Sequence, residues 1–184
     1  NFTTGLTLIP EAGVEVTTVG TVNGASGTSN PPDPGTPADQ IFGGKVDWTS
    51  SALYLGGSGN AASSEVVLTF TNLNPGQTYH FRGTVVRGNN YNTRWTVATI
   101  KDAVSYIPAH IEGPGTAGIV TNGYAPYGDN LVANQQAAFN SGHNLSGDVI
   151  GWDQIVPNGT SFSIVCSNWV ETTPGGAGNT TYCY

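Results

Sequence analysis

Apolar and polar residues alternate with period two along most of this chain. From Glu65 onward, Val66, Leu68 and Phe70 fall on one face of an extended segment, and Val67, Thr69 and Thr71 fall on the other. Tyr79, Phe81 and Val85 then alternate with His80, Arg82 and Thr84, and Trp95, Val97 and Thr99 with Arg94, Thr96 and Ala98. Period two is the repeat of a strand, whose successive side chains point to opposite sides of a sheet. The pattern predicts strands over 14–22, 40–48, 65–72, 77–87, 94–101, 104–111, 133–139, 147–152 and 161–169. Leu73-Asn74-Pro75-Gly76 reads as a tight turn, because proline presets φ and glycine accepts φ > 0. Gly88-Asn89-Asn90 reads as another, so 65–101 is expected to form a three-stranded antiparallel meander. Helical periodicity is nearly absent, and 58–64 is at most a short turn. The Gly/Ser/Pro-rich stretches 23–37 and 172–178 read as surface loops. No period of about 20–50 residues recurs, which excludes a solenoid or propeller.

Many short strands separated by Gly/Pro turns imply an all-β fold, an antiparallel β-sandwich of jelly-roll type, with a small closed barrel as the alternative. The length of 184 residues suits one domain, expected over 13–184 and preceded by an arm over 1–12.

Charge narrows the partners. Charged residues make up 9% of the chain, against about 25% in ordinary domains, so Ser, Thr, Asn, Gln and Gly must supply the polar surface. Five basic and twelve acidic residues leave a net charge of −7. That is too few cations for a nucleic-acid interface or for an anionic membrane surface. No apolar run reaches the roughly 20 residues of a membrane span. The chain contains no methionine and starts at Asn1, which points to a processed, exported protein and an extracellular location. Cys166 and Cys183 lie close together in sequence. They fit a single disulfide, which would add roughly 3 kcal/mol by loop entropy, or else two free buried thiols. Asn1, Asn144, Asn158 and Asn179 are each followed by x-Ser/Thr and are candidate glycan acceptors.

Candidate chemistry is sparse. His80, His110 and His143 are the three histidines, and no Gly-x-Ser-x-Gly elbow accompanies them. His80 alternates with Arg82 and reads as a surface or satisfied sheet residue, and His110 and His143 lie in or near loops with no motif around them. Asp148 and Asp153 flank Trp152 and are the best-placed carboxylates for glycoside hydrolysis, though a solvated or ligand-binding role is favoured. Cysteines and histidines at zinc spacing are lacking. Asp33, Asp39, Asp47, Asp129 and Asp148 are oxygen donors for a structural calcium ion that no motif assigns, and no other cofactor is expected. The stretch 87–95 mixes aromatic and planar polar side chains. Arg87, Asn90, Tyr91 and Arg94 are therefore candidate glycan-binding residues, against a reading of Trp95 as core.

A family resemblance rests on five segments. Residues 38–47 read Ala-Asp-Gln-Ile-Phe-Gly-Gly-Lys-Val-Asp, and 67–84 read Val-Leu-Thr-Phe-Thr-Asn-Leu-Asn-Pro-Gly-Gln-Thr-Tyr-His-Phe-Arg-Gly-Thr. Residues 87–95 read Arg-Gly-Asn-Asn-Tyr-Asn-Thr-Arg-Trp, followed by Gly-Asp-Val-Ile-Gly-Trp at 147–152 and Phe-Ser-Ile at 162–164. Together these resemble β-sandwich accessory domains of large secreted bacterial proteins, similar to galactose-binding-like and carbohydrate-binding jelly-roll modules. The motif Leu-x-Pro-Gly-x-x-Tyr also occurs in fibronectin type III modules. The resemblance implies a non-catalytic domain. It also implies a further apolar strand after a segment like 181–184, where this chain stops. An unfilled edge is a template for another chain. Phe2, Leu6, Leu8 and Ile9 form an apolar arm that either fills a neighbour's edge, giving a filament by strand exchange, or pairs within its own domain. The expected function is thus a self-associating structural or adhesive extracellular subunit. The alternative is a polysaccharide-binding module of a larger secreted protein, with a glycoside hydrolase third.

Overall fold

The alternating segments fold as strands. A computed structural model describes residues 12–25, 31–48, 52–56, 64–86, 95–114, 118–119, 134–168 and 182–183. Within them lie β1 (Gly13–Val19), β2 (Val22–Ala25), α1 (Pro37–Phe42), β3 (Ala52–Gly56), β4 (Glu65–Thr71) and β5 (Tyr79–Gly83). They are followed by β6 (Thr96–Lys101), β7 (Ala103–Glu112), β8 (Gly118–Ile119), β9 (Gln136–Phe139), β10 (Val149–Pro157), β11 (Phe162–Asn168) and β12 (Tyr182–Cys183). The strands pair antiparallel, in a six-stranded sheet β1-β4-β11-β6-β9-β8 and two three-stranded sheets, β5-β10-β7 and β12-β3-β2.

Register explains the core. Phe162, Ile164 and Cys166 of β11 stand opposite Phe70, Leu68 and Val66 of β4, and Ile164 stands opposite Ile100 of β6. These rows line one face of the large sheet. Over one end of that face lies β5-β10-β7, which contributes Ile150, Trp152, Ile155 and Ala109 to a shared core. Over the other end, Val66 and Cys166 pack with Leu55 of β3 and Val22 of β2. The result is an all-β sandwich whose second layer is divided. Phe70 stacks on Phe162 at 4.8 Å within the large sheet and meets Phe81 edge-on at 5.9 Å, an aromatic bridge between the layers.

Four expectations are corrected. The first concerns the expected meander: β4, β5 and β6 do not pair with one another. β4 lies between β1 and β11, β5 crosses to the facing sheet beside β10, and β6 returns beside β11. The turn at 73–76 is a corner between sheets rather than a hairpin. Leu73 is buried in the core, the Gly76 amide donates to Asn74 Oδ1 at 2.8 Å, and the Tyr79 hydroxyl accepts from the Asn74 amide at 2.8 Å. A tyrosine hydroxyl bonded to backbone a few residues upstream is a known lock for such corners.

The second correction is at 40–48, which is not a strand. Thr36 caps α1, its hydroxyl accepting from the Asp39 amide, and Pro37 occupies a first-turn position that needs no amide. Third, a strand that the alternation did not mark out forms at Tyr182–Cys183, which pairs with β3 as β12. β3 itself was not predicted, and β2 enters the stretch read as a loop from residue 23. Gly20, at φ +72, ends the segment 14–22 early and sends its two parts to different sheets.

Fourth, Cys166 is a free thiol, so the bridge to Cys183 is absent. Its side chain is taken up by apolar packing with Leu55 and Val66, and desolvation pushes its pKa up to about 11. At pH 8 roughly one thiol in a thousand is then the reactive thiolate. Cys166 should resist an alkylating reagent in the folded protein and label within minutes in urea, as read by intact mass. Rapid labelling of Cys166 in the native state would contradict this packing.

Candidate functional site

The outer face of β5-β10-β7 gathers the densest polar chemistry among the described residues. His80 and Arg82 alternate on β5, His110 and Glu112 on β7, and Asp153 projects from β10 between them. Gly151 stands opposite Arg82 on one side and His110 on the other. A Cβ at Gly151 would lie 2.7 Å from Arg82 Nη1 and 3.0 Å from its Cδ, so glycine lets the arginine lie flat across the middle strand. A bulge displaces the register between Trp152 and Ile155, with Gln154 at φ +48.

Arg82 is the centre of the cluster. Its Nη1 donates to Asp153 Oδ1 at 2.9 Å, and its Nε is paired with Glu112 Oε1. His80 Nδ1 lies 2.5 Å from Asp153 Oδ1, and His110 Nε2 lies 3.4 Å from Glu112 Oε1 and 3.6 Å from Asp153 Oδ2. Arg82 Nη1 also donates to the Phe81 carbonyl at 2.9 Å. The Arg82 hydrogen bond holds the Asp153 carboxyl at a pKa of about 2, against the opposing effect of desolvation, with His80 helping. Burial by itself would lower the Arg82 pKa, but its bond to Asp153 and the charge of Glu112 outweigh that and raise it. Asp153 is therefore ionised at neutral pH and has no proton to donate as a general acid. One guanidinium ties three strands together, and the solvent-facing edge of the cluster is the half-exposed His80.

The sequence-derived candidates separate in space. Asp148 does not join Asp153 on this face: it is fully buried, its amide donating to Asn144 Oδ1 at 2.9 Å. Asn144 is also fully buried, its amide nitrogen donating to the Asp148 carbonyl at 3.0 Å and the Val85 carbonyl at 3.0 Å. Such an asparagine cannot carry a glycan in the folded protein, which corrects the reading of Asn144 as an acceptor. Asn158 is exposed, in the turn between β10 and β11, and Asn1 and Asn179 lie outside the described residues. Arg87, Asn90, Tyr91 and Arg94 also lie outside them, as do the arm residues Phe2, Leu6, Leu8 and Ile9. Trp95 is buried. His110 sits within β7, inside the strand expected over 104–111, and Glu112 was not singled out from sequence at all. The signal for both was the polar i, i+2 pair His110/Glu112, matching His80/Arg82. Among the calcium candidates, Asp39 accepts from the Gly35 amide at 2.8 Å as part of the α1 cap, and Asp129 is not described. No group of three His, Cys, Asp or Glu is placed to hold a metal ion among the described residues.

The second feature is an edge. β1 borders the six-stranded sheet, and no strand among the described residues pairs with its outer side. Six of its seven residues are exposed. Val14 and Val16 stand opposite Phe70 and Leu68, on the core side, yet remain 42% and 43% exposed because the covering layer stops short of them. Glu15 is the one charged residue on the strand, and it contains neither proline nor lysine. The borders at β7, β5, β8 and β12 are short or partly blocked. β7 carries Pro108, which has no amide, and its Ala109 amide donates to the Asn134 carbonyl at 3.1 Å. On β5 the Phe81 carbonyl is covered by Arg82, and β8 and β12 are two residues each. Native sheets blunt their edges by such means, and β1 has none beyond Glu15.

No protein-family model, no curated protein and no solved structure matches this chain.

Proposed function

We infer that the protein is a non-catalytic, extracellular structural or adhesive subunit that joins copies of itself through an open sheet edge. One observation carries this reading: β1 presents seven residues of backbone and the half-exposed Val14 and Val16 with no described strand beside them. An extended segment from another molecule would continue both the hydrogen-bond ladder and the inner apolar face. The low-charge surface adds little repulsion between contacting faces, and the net charge of −7 disperses unspecific aggregates. Export is supported by the exposed sequon at Asn158.

Size-exclusion chromatography with light scattering, followed by electron microscopy, tests the reading on the full chain. The wild-type protein should form concentration-dependent oligomers or filaments, stronger in salt as like charges are screened. Val16→Lys places a charge on the edge and should shift the population to monomer with an unchanged melting temperature. A wild-type protein that stays monomeric at all concentrations would end the proposal.

A further inference from the structure

We propose that the outer edge of β1 receives residues 2–9 of a second copy of this chain, antiparallel, with Leu8 beside Val14 and Leu6 beside Val16. The pairing rests on the assembly reading above and names its partner segment. Length fits: eight residues at about 3.3 Å each span a seven-residue strand with one to spare. Pattern fits as well. Leu6-Thr7-Leu8 repeats the alternation of Val14-Glu15-Val16, so both leucines fall on the core side when both valines do. The rows then run Leu8, Val14, Phe70, Phe162 and Leu6, Val16, Leu68, Ile164 across four strands, extending registers already formed between β1, β4 and β11. Thr7 falls beside Glu15 and Gly5 beside Thr17. The segment 2–9 carries no charged side chain, so Glu15 meets no like charge.

Closure onto the same molecule is opposed by local geometry. Folding 2–9 back onto its own β1 in this register needs a hairpin over Pro10-Glu11-Ala12. A three-residue hairpin loop calls for a left-handed residue at its end. Neither Ala12 nor Gly13 is among the residues with positive φ. A return of 2–9 onto its own β1 in this register is thereby disfavoured, which leaves a second copy as the acceptor proposed. Donor segment and acceptor edge are different surfaces, so the contact repeats head to tail and builds an open filament.

Cysteine pairing in the full chain tests this. Leu8→Cys and Val14→Cys are made as separate variants, checked against wild type by circular dichroism, mixed and oxidised. Directly opposed side chains on paired strands lie within disulfide reach, so the mixture should yield roughly tenfold more covalent dimer than either variant or wild type alone. The double variant should give a covalent ladder on a non-reducing gel. Equal cross-linking of Leu8→Cys with Glu15→Cys, which points to the other face, would overturn the register. Wild-type oligomers without the Leu8–Val14 link would overturn this pairing and leave assembly through β1 standing. A monomeric wild type with an internally linked double variant would overturn both.

Discussion

Replacing Trp152 with alanine is expected to lower the unfolding free energy by about 3–5 kcal/mol, out of the roughly 5–15 kcal/mol that holds a domain folded. Trp152 is fully buried on β10, where it packs against Phe81 with ring centroids 6.0 Å apart and joins Ile150 and Ile155 in the core between the layers. Its indole Nε1 donates to the Asn134 carbonyl at 3.1 Å, so truncation opens a cavity and also strips an acceptor of its donor. Trp152→Phe separates the two effects. It keeps most of the ring and loses the hydrogen bond, with an expected cost of about 1–2 kcal/mol. Trp48, half-buried beside Phe42 near α1, is the internal comparison, and Trp48→Ala should cost distinctly less. Urea unfolding followed by far-ultraviolet circular dichroism measures all three. A loss below about 1 kcal/mol for Trp152→Ala would mean that β10 does not form the core wall described.

Arg82→Ala should reverse the acid response of the protein. In the wild type, Asp153 has a folded pKa of about 2, below the ordinary value of 3.8. A depressed carboxylate contributes stability that is fully present above its unfolded pKa and is lost as pH falls through the folded one. The wild-type melting temperature should therefore decline between about pH 4 and pH 2, by an amount worth about 1 kcal/mol once the partial exposure of the cluster is allowed for. Without the guanidinium, Asp153 shares its face with the carboxylate of Glu112 and no arginine stands between them, which disfavours the ionised form of Asp153. The variant should lose about 1–2 kcal/mol at pH 7, between the worth of an exposed and of a buried pair. It should then recover part of that loss as pH falls toward 4. Thermal melts from pH 2.5 to 7 on both proteins give the two slopes, and parallel slopes would show that Arg82 does not bridge the carboxylates.

Much of the architecture was legible from alternation. The patterns at 65–71, 96–101 and 162–168 became β4, β6 and β11, because residues two apart on a strand share a face whatever their partners are. Partner choice was not legible. The Leu-Asn-Pro-Gly turn and Tyr79 are as compatible with a hairpin as with a corner. What sends β5 to the other layer is the burial of Leu73 and the lock of the Tyr79 hydroxyl on Asn74. The helix over 37–42 was readable in Thr36-Pro37-Ala38-Asp39, a cap followed by a first-turn proline, but its six residues are too few for periodicity to register.

The chain's own pattern determined an all-β fold and a composition poor in charge, since these depend only on which residues are present and follow one another. Tertiary structure decided which strands are neighbours. It thereby assembled Arg82, Asp153 and Glu112 from three segments, buried Asn144, left Cys166 as a free thiol and set β1 at the border. Each of those outcomes depends on the register between strands far apart in sequence. Register is set by the packing of two faces together, which no single segment encodes.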